Sequence, residues 1–184
     1  RLWDGHNDIE GNHRQFAGET DKPVAALLTD MAASGLLDET LVVWCGEFGR
    51  LPIAQTGGKP GRDHNPHHLV CWLAGGGVRG GMTYGSSDEI GYKSADNRVH
   101  LNDLHATILH LMGVDHTRLS FHHQGLDQRL TGVEERRVVP REHVAGLQRA
   151  QRRIDHERVA AGVAGAEVIQ VDPVLATANR ELVL

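Results

Sequence analysis

A chain of 184 residues with 40% hydrophobic and 23% charged residues is long enough for one domain with a core of its own. A formal net charge of −5 and an aromatic content of 4% argue against nucleic acid as a partner. No apolar run approaches the length that spans a bilayer, so no membrane span is expected.

The first residues, Arg1-Leu2-Trp3, carry no initiator Met, and the chain reads as the C-terminal part of a longer protein. Trp3-Asp4-Gly5-His6 follows directly. On an extended segment Asp4 and His6 point to one face, because side chains alternate with period two. A carboxylate beside an imidazole suits a divalent ion such as zinc, manganese or iron. The plain alternative is surface decoration. Asn7 to Glu19 is polar, with Gly11, Asn12 and Gly18 as loop signals. A helix is then predicted over Val24–Ser34, capped by Thr20 or Asp21, with Pro23 in its first turn. Val24, Leu27, Leu28, Met31 and Ala32 give it one apolar face, and Gly35 ends it in the left-handed conformation.

Leu41-Val42-Val43-Trp44-Cys45 is a continuous apolar run, as in a parallel strand covered by helices on both faces. It breaks at Gly46-Glu47-Phe48-Gly49-Arg50. Ligands of open α/β sheets bind just beyond the carboxyl ends of strands. Glu47 is therefore a candidate metal ligand, and Arg50 a forked donor to an anionic substrate. On position alone they read equally well as a turn carboxylate and a surface arginine. Leu51 to Arg62 reads as a glycine-rich loop ending in Gly61-Arg62-Asp63-His64-Asn65-Pro66, the second carboxylate–imidazole piece. His64 is a candidate ligand, and Asp63 either a ligand or a group that orients a histidine.

His67 to Ala74 reads as a second buried strand, stopped by Gly75-Gly76-Gly77. Cys45 and Cys71, each within an apolar run, read as buried free thiols, with a disulfide as the less favoured alternative. Val78 to Val99 is an irregular excursion with one hairpin. Its glycines are no phosphate cradle, since no lysine-serine pair follows. Asn102 or Asp103 caps a helix running through Leu104, Ile108, Leu109, Leu111 and Met112 to Gly113. His105, His110, His122 and His123 read as packed or solvated imidazoles. From Glu134 to Gly162 arginines alternate with acidic residues, the pattern of a solvated helix with ion pairs.

These pieces predict an α/β fold, a partial doubly wound and mainly parallel sheet flanked by helices. Leu41–Cys45 and Leu69–Leu73 would be neighbouring or near-neighbouring buried strands of a parallel sheet, with the Val24–Ser34 helix packed on it through right-handed connections. Residues 1–139 would form this domain, and residues 140–184 a helical or flexible tail.

The order of motifs adds a resemblance. W-D-G-H-N, A-L-L-T-D-M-A-A-S-G-L-L-D-E-T-L-V-V-W-C-G-E-F-G-R, G-R-D-H-N-P, L-A-G-G-G-V-R-G-G, Y-G-S-S-D-E-I-G-Y, D-L-H-A-T-I-L-H-L-M-G-V-D-H and Q-G-L-D-Q-R-L-T-G occur in sequence. Together they resemble the bacterial family catalogued as domain-of-unknown-function 1501, taken as a sulfatase-like branch of the alkaline phosphatase superfamily. The resemblance covers Arg1 to about Val139. It implies an alkaline-phosphatase-like sheet, a divalent metal cofactor (zinc, manganese, iron or calcium), a small anionic ester as substrate, and export through a twin-arginine leader. By its motifs Asp4 and His6 match the first metal-binding pair and His64 a later histidine ligand. Gly46-Glu47-Phe48-Gly49 falls where the superfamily has an Asp-His pair; Glu47 can ligate and Phe48 cannot. The superfamily's nucleophile lies on an N-terminal strand this chain lacks.

Two functions follow. One is the C-terminal part of a metal-dependent hydrolase of phosphate or sulfate esters, inactive without its N-terminal half. The other is a non-catalytic metal- or ligand-binding module on a degenerate sulfatase-like scaffold. An HNH-type nuclease, suggested by Asp63-His64-Asn65-Pro66-His67, is disfavoured because an apolar strand follows where a metal-finger helix is needed.

Overall fold

The computed structural model describes residues 3–55, 57–132 and 167–172, the last stretch as backbone. Helix α1 spans Ile9–Ala33, beginning well before the predicted helix and absorbing the polar stretch read as loop. Asp8, in the left-handed region at φ 47°, caps it by accepting from the Gly11 amide. The next orphan donors of this helix start are met from elsewhere: the Asp8 and Ile9 amides donate to the carbonyls of Lys59 and Pro60. Ion pairs one turn apart, such as Arg14 with Glu10 at 2.7 Å, support the polar half. Pro23 lies inside the helix. Ser34 caps the other end and Gly35 follows at φ +77°, as predicted.

A one-turn helix, α2 (Leu36–Glu39), leads into strand β1 (Val42–Trp44). Strands β2 (Gly49–Gln55) and β3 (Gly61–Asn65) then form an antiparallel hairpin where a glycine-rich loop was expected. Strand β4 (Leu69–Ala74) returns beside β1, antiparallel, with Val42 opposite Ala74 and Trp44 opposite Trp72. The rings of Trp44 and Trp72 stack 6.0 Å apart at 9°.

That pairing overturns the doubly wound, mainly parallel, alkaline-phosphatase-like sheet. A parallel neighbour needs a crossover of a dozen or more residues, usually a helix. Here the long helix α1 precedes β1, and the chain between β1 and β4 folds into the β2–β3 hairpin instead of a crossover helix. The apolar runs were also misread as covered on both faces. Strand β4 alternates: Leu69, Cys71 and Leu73 are buried, whereas Val70 is 47% exposed. Trp44 is 40% exposed and Cys45 is exposed, so only Cys71 of the two thiols is buried.

The excursion after β4 contains β5 (Thr83–Tyr84) and a hairpin of β6 (Ser86–Ser87) with β7 (Ser94–Asp96). Strand β8 (Val99–His100) runs into helix α3 (Leu101–Leu111). His100 caps this helix by accepting from the Asn102 amide, and Asp103 reaches back to the His100 amide. Asp103 is thus the third-position partner of a capping box, and the cap itself is His100. Strands β9 (Phe121–His123) and β10 (Leu126–Gln128) make a last hairpin.

Strand β11 (Glu167–Asp172) lies within the stretch 140–184 read as a helical or flexible tail, and there the chain forms a sheet strand. It pairs antiparallel with β4 and parallel with β5 and β8, completing a mixed five-stranded sheet ordered β1-β4-β11-β5. The arginine-rich stretch Glu134–Gly162 lies outside the described residues. Leu69, Cys71 and Leu73 of β4 pack with Val99, Leu104 and Leu111, so the core sits between β4 and α3. On the other side of β4, Trp44 and Trp72 face Val24 and Ala25 of α1 across a groove of about 370 Å³. The described residues include no helix long and apolar enough to cross a membrane.

Gly18, midway along α1, has no atom within 4 Å of where a Cβ would sit. Gly18→Ala should stabilise the protein by about 0.5–1 kcal/mol, because glycine loses more backbone freedom in a helix than alanine. Urea unfolding measures it.

Candidate metal centre

The hairpin register decides which side chains meet. Arg50 of β2 stands opposite His64 of β3, so the two project side by side. The N-terminal segment lies across this hairpin: the Arg62 amide donates to the Gly5 carbonyl at 2.9 Å. The approach is so close that a Cβ on Gly61 would collide with the His6 carbonyl. Lys59 completes the attachment through an ion pair with Asp8 at 2.9 Å.

Asp4, His6 and His64 thereby converge. Asp4 Oδ1 is 2.8 Å from His6 Nε2 and 3.2 Å from His64 Nε2, and the two imidazole nitrogens are 3.2 Å apart. Three ligands on one tetrahedral ion at about 2.0–2.1 Å stand about 3.3 Å from one another. The triangle is close to that size without rearrangement. Asp4 and His6 are half-buried and His64 is exposed, so the site is open to solvent on the histidine side.

The surroundings set the chemistry of each group. His6 Nδ1 lies 2.9 Å from Gln55 Oε1. With Gln55 Oε1 accepting from Nδ1–H, Nε2 is the His6 nitrogen turned towards Asp4 and His64, at hydrogen-bond distance from the Asp4 carboxylate. Phe48 packs its ring 4.1 Å from the His64 ring and limits its rotation. Arg50 donates to Asp4 Oδ1 at 2.7 Å and lies 5.6 Å over the Phe48 ring. Arg50, followed by the His64 hydrogen bond, lowers the Asp4 pKa to about 2. Asp4 therefore needs no deprotonation before it ligates.

Of the residues singled out in the sequence, Asp4, His6, His64 and Arg50 come together. Asp63 accepts from the His64 amide at 2.7 Å and stands 3.7 Å from His6 Nδ1, beside it but beyond hydrogen-bond reach. Glu47 is exposed in the turn after β1, and the converging ligand atoms do not include it. His105 and His110 lie on α3, and His122 pairs with Asp127 on the β9–β10 hairpin. Gln55 went unnoticed. An isolated glutamine carries no ligand signature, and only the strand that replaced the expected loop brings it under His6.

The sequence model of a family described as "Protein of unknown function (DUF1501)" matches residues 1–141. No curated protein and no solved structure matches.

Gly61→Ala should force the His6 backbone away from β3. The expected result is a loss of about 1–3 kcal/mol, the usual cost of overpacking, read by urea unfolding. The His6 and His64 imidazole resonances should move with it in proton–nitrogen NMR.

Proposed function

The chain belongs to the DUF1501 family of proteins of unknown function, and from that premise we propose that Asp4, His6 and His64 hold a divalent metal ion serving hydrolysis of a phosphate or sulfate ester. One observation carries the reading: a carboxylate oxygen and two imidazole nitrogens within 4.8 Å of one another, next to a guanidinium. The mixture of oxygen and nitrogen donors suits zinc, manganese or iron. When bound, such an ion polarises the ester's non-bridging oxygens and offsets the charge that builds up in transfer.

The remaining work falls to the chain's own groups. Gln55 orients His6 through Nδ1, so that Nε2 is the nitrogen offered to the ion. Phe48 fixes the plane of His64. Arg50, 24% exposed and already at the rim, offers two further donors to a tetrahedral anion once its hold on Asp4 loosens. No nucleophile is assigned within this chain.

A second reading, metal binding without turnover, draws on Phe48, whose ring covers one side of His64 where another ligand would otherwise fit. The two readings differ in a single assay on the full-length protein. Metal-dependent release of nitrophenol from para-nitrophenyl phosphate or sulfate supports the hydrolase; stoichiometric metal binding with no release supports the binding module.

Titration calorimetry with zinc and with manganese tests the site under either reading. Wild-type protein should bind one equivalent, and Asp4→Asn or His64→Ala should largely abolish the heat. Gln55→Leu should weaken binding by about 10–100-fold, the usual effect of removing the partner that orients a histidine ligand. Glu47→Gln should leave the isotherm unchanged. Equal binding by wild type and Asp4→Asn would overturn the assignment.

A further inference from the structure

We propose that Cys45 and Cys71 form a two-electron thiol–disulfide site across β1 and β4, with Cys45 as the attacking thiol and Cys71 as the resolving one. The register brings them together. Val42, Val43 and Trp44 stand opposite Ala74, Leu73 and Trp72, so the next step of the ladder sets Cys45 opposite Cys71. The stacked tryptophans at the preceding step are an independent mark of that register. Directly opposed residues of antiparallel strands have Cα atoms about 4.5 or 5.5 Å apart, and disulfides span about 4.4–6.8 Å. Opposed side chains also leave the same face of the sheet.

The environments of the two thiols divide the labour. Cys71 is 1% exposed and part of the core, out of reach of an oxidant of any size. Cys45 is exposed just past the end of β1, its thiol 3.2 Å from the Gly46 carbonyl. A hydrogen bond from the Cys71 thiol holds the Cys45 pKa below the ordinary thiol value, against opposing effects of burial and the Glu47 charge. The more accessible thiol is thus also a readier thiolate than an ordinary cysteine.

The oxidant is a low-molecular-weight disulfide. The Cys45 thiolate attacks one sulfur of its S–S bond; that bond breaks, and the other sulfur leaves and takes up the Cys45 proton. The Cys71 thiol then gives up its proton and attacks the Cys45 sulfur, displacing the second small thiol, which takes that proton. Two protein thiols are oxidised by two electrons and one disulfide is reduced to two thiols. The site is independent of the metal centre and of any activity assigned to it.

Oxidised glutathione added to the folded, reduced chain tests the idea by intact mass and peptide mapping under non-reducing conditions. The expected product has lost two hydrogens, carries no adduct, and yields a peptide linked through Cys45 and Cys71. Cys71→Ala should stop at a glutathione adduct on Cys45, and Cys45→Ala should not react. Wild-type protein alone decides the matter if either variant fails to fold. A stable glutathione adduct that never closes, or a wild type that does not react, would overturn the proposal. So would native alkylation of Cys71 as fast as Cys45.

Discussion

The contact between the N-terminal segment and Gly61 is the constraint on which the rest of the site depends. Asp4 and His6 belong to a stretch that is neither helix nor strand, and such a stretch has no preferred place of its own. It is held by backbone bonds on both sides of the metal-ligand pair. Gly5 accepts from Arg62, and the first amides of α1 donate to Lys59 and Pro60. The missing side chain at Gly61 allows the backbones to come that close. The start of α1 and the β2–β3 hairpin are therefore one mechanical unit. Its geometry sets the Asp4–His6–His64 triangle.

Within that unit Asp4 is the electrostatic centre. One of its oxygens faces a guanidinium and two imidazoles. In this arrangement Arg50 supplies positive charge that a metal ion would otherwise supply, and the two compete for the same oxygen. Arg50 thus stabilises the Asp4 carboxylate, and under the proposed reading its donors are the ones an ion on that oxygen would release. An arginine serves both roles better than a lysine, since its planar fork can hold a carboxylate edge and later an oxyanion.

The residues that converge in the triangle were legible because their chemistry is local. A carboxylate and an imidazole two residues apart, or adjacent, state a donor set whatever fold carries them. The fold was not legible for the same reason in reverse. Leu41–Cys45 and Leu69–Leu73 are apolar throughout, and apolarity alone does not distinguish a strand covered on both faces from one whose outer face bears a tryptophan pair. Direction depends on the connection, and the Leu51–Arg62 stretch was read as loop because its glycines outweighed Ile53 and Ala54. Once β2 exists there, Gln55 comes under His6 and β4 must run antiparallel to β1. The early start of α1 was hidden by Gly11 and Gly18, whose cost is offset by Asp8 capping and the Arg14–Glu10 pair.

The core and the site are built from different parts of the chain. Burial concentrates where β4 meets α3, in Leu69, Cys71, Leu73, Leu104 and Leu111. The triangle stands on the β2–β3 hairpin, where Asp4 and His6 are only half-buried and His64 is exposed. Asn65 joins the two regions: fully buried at the end of β3, it donates to the Tyr92 carbonyl and accepts from the His67 amide. A triangle that stands outside the β4–α3 core can lose a side chain without opening a cavity there. Loss of the triangle's side chains and loss of folding are thus separable in this molecule, and Asn65 and Gly61 are where the two meet.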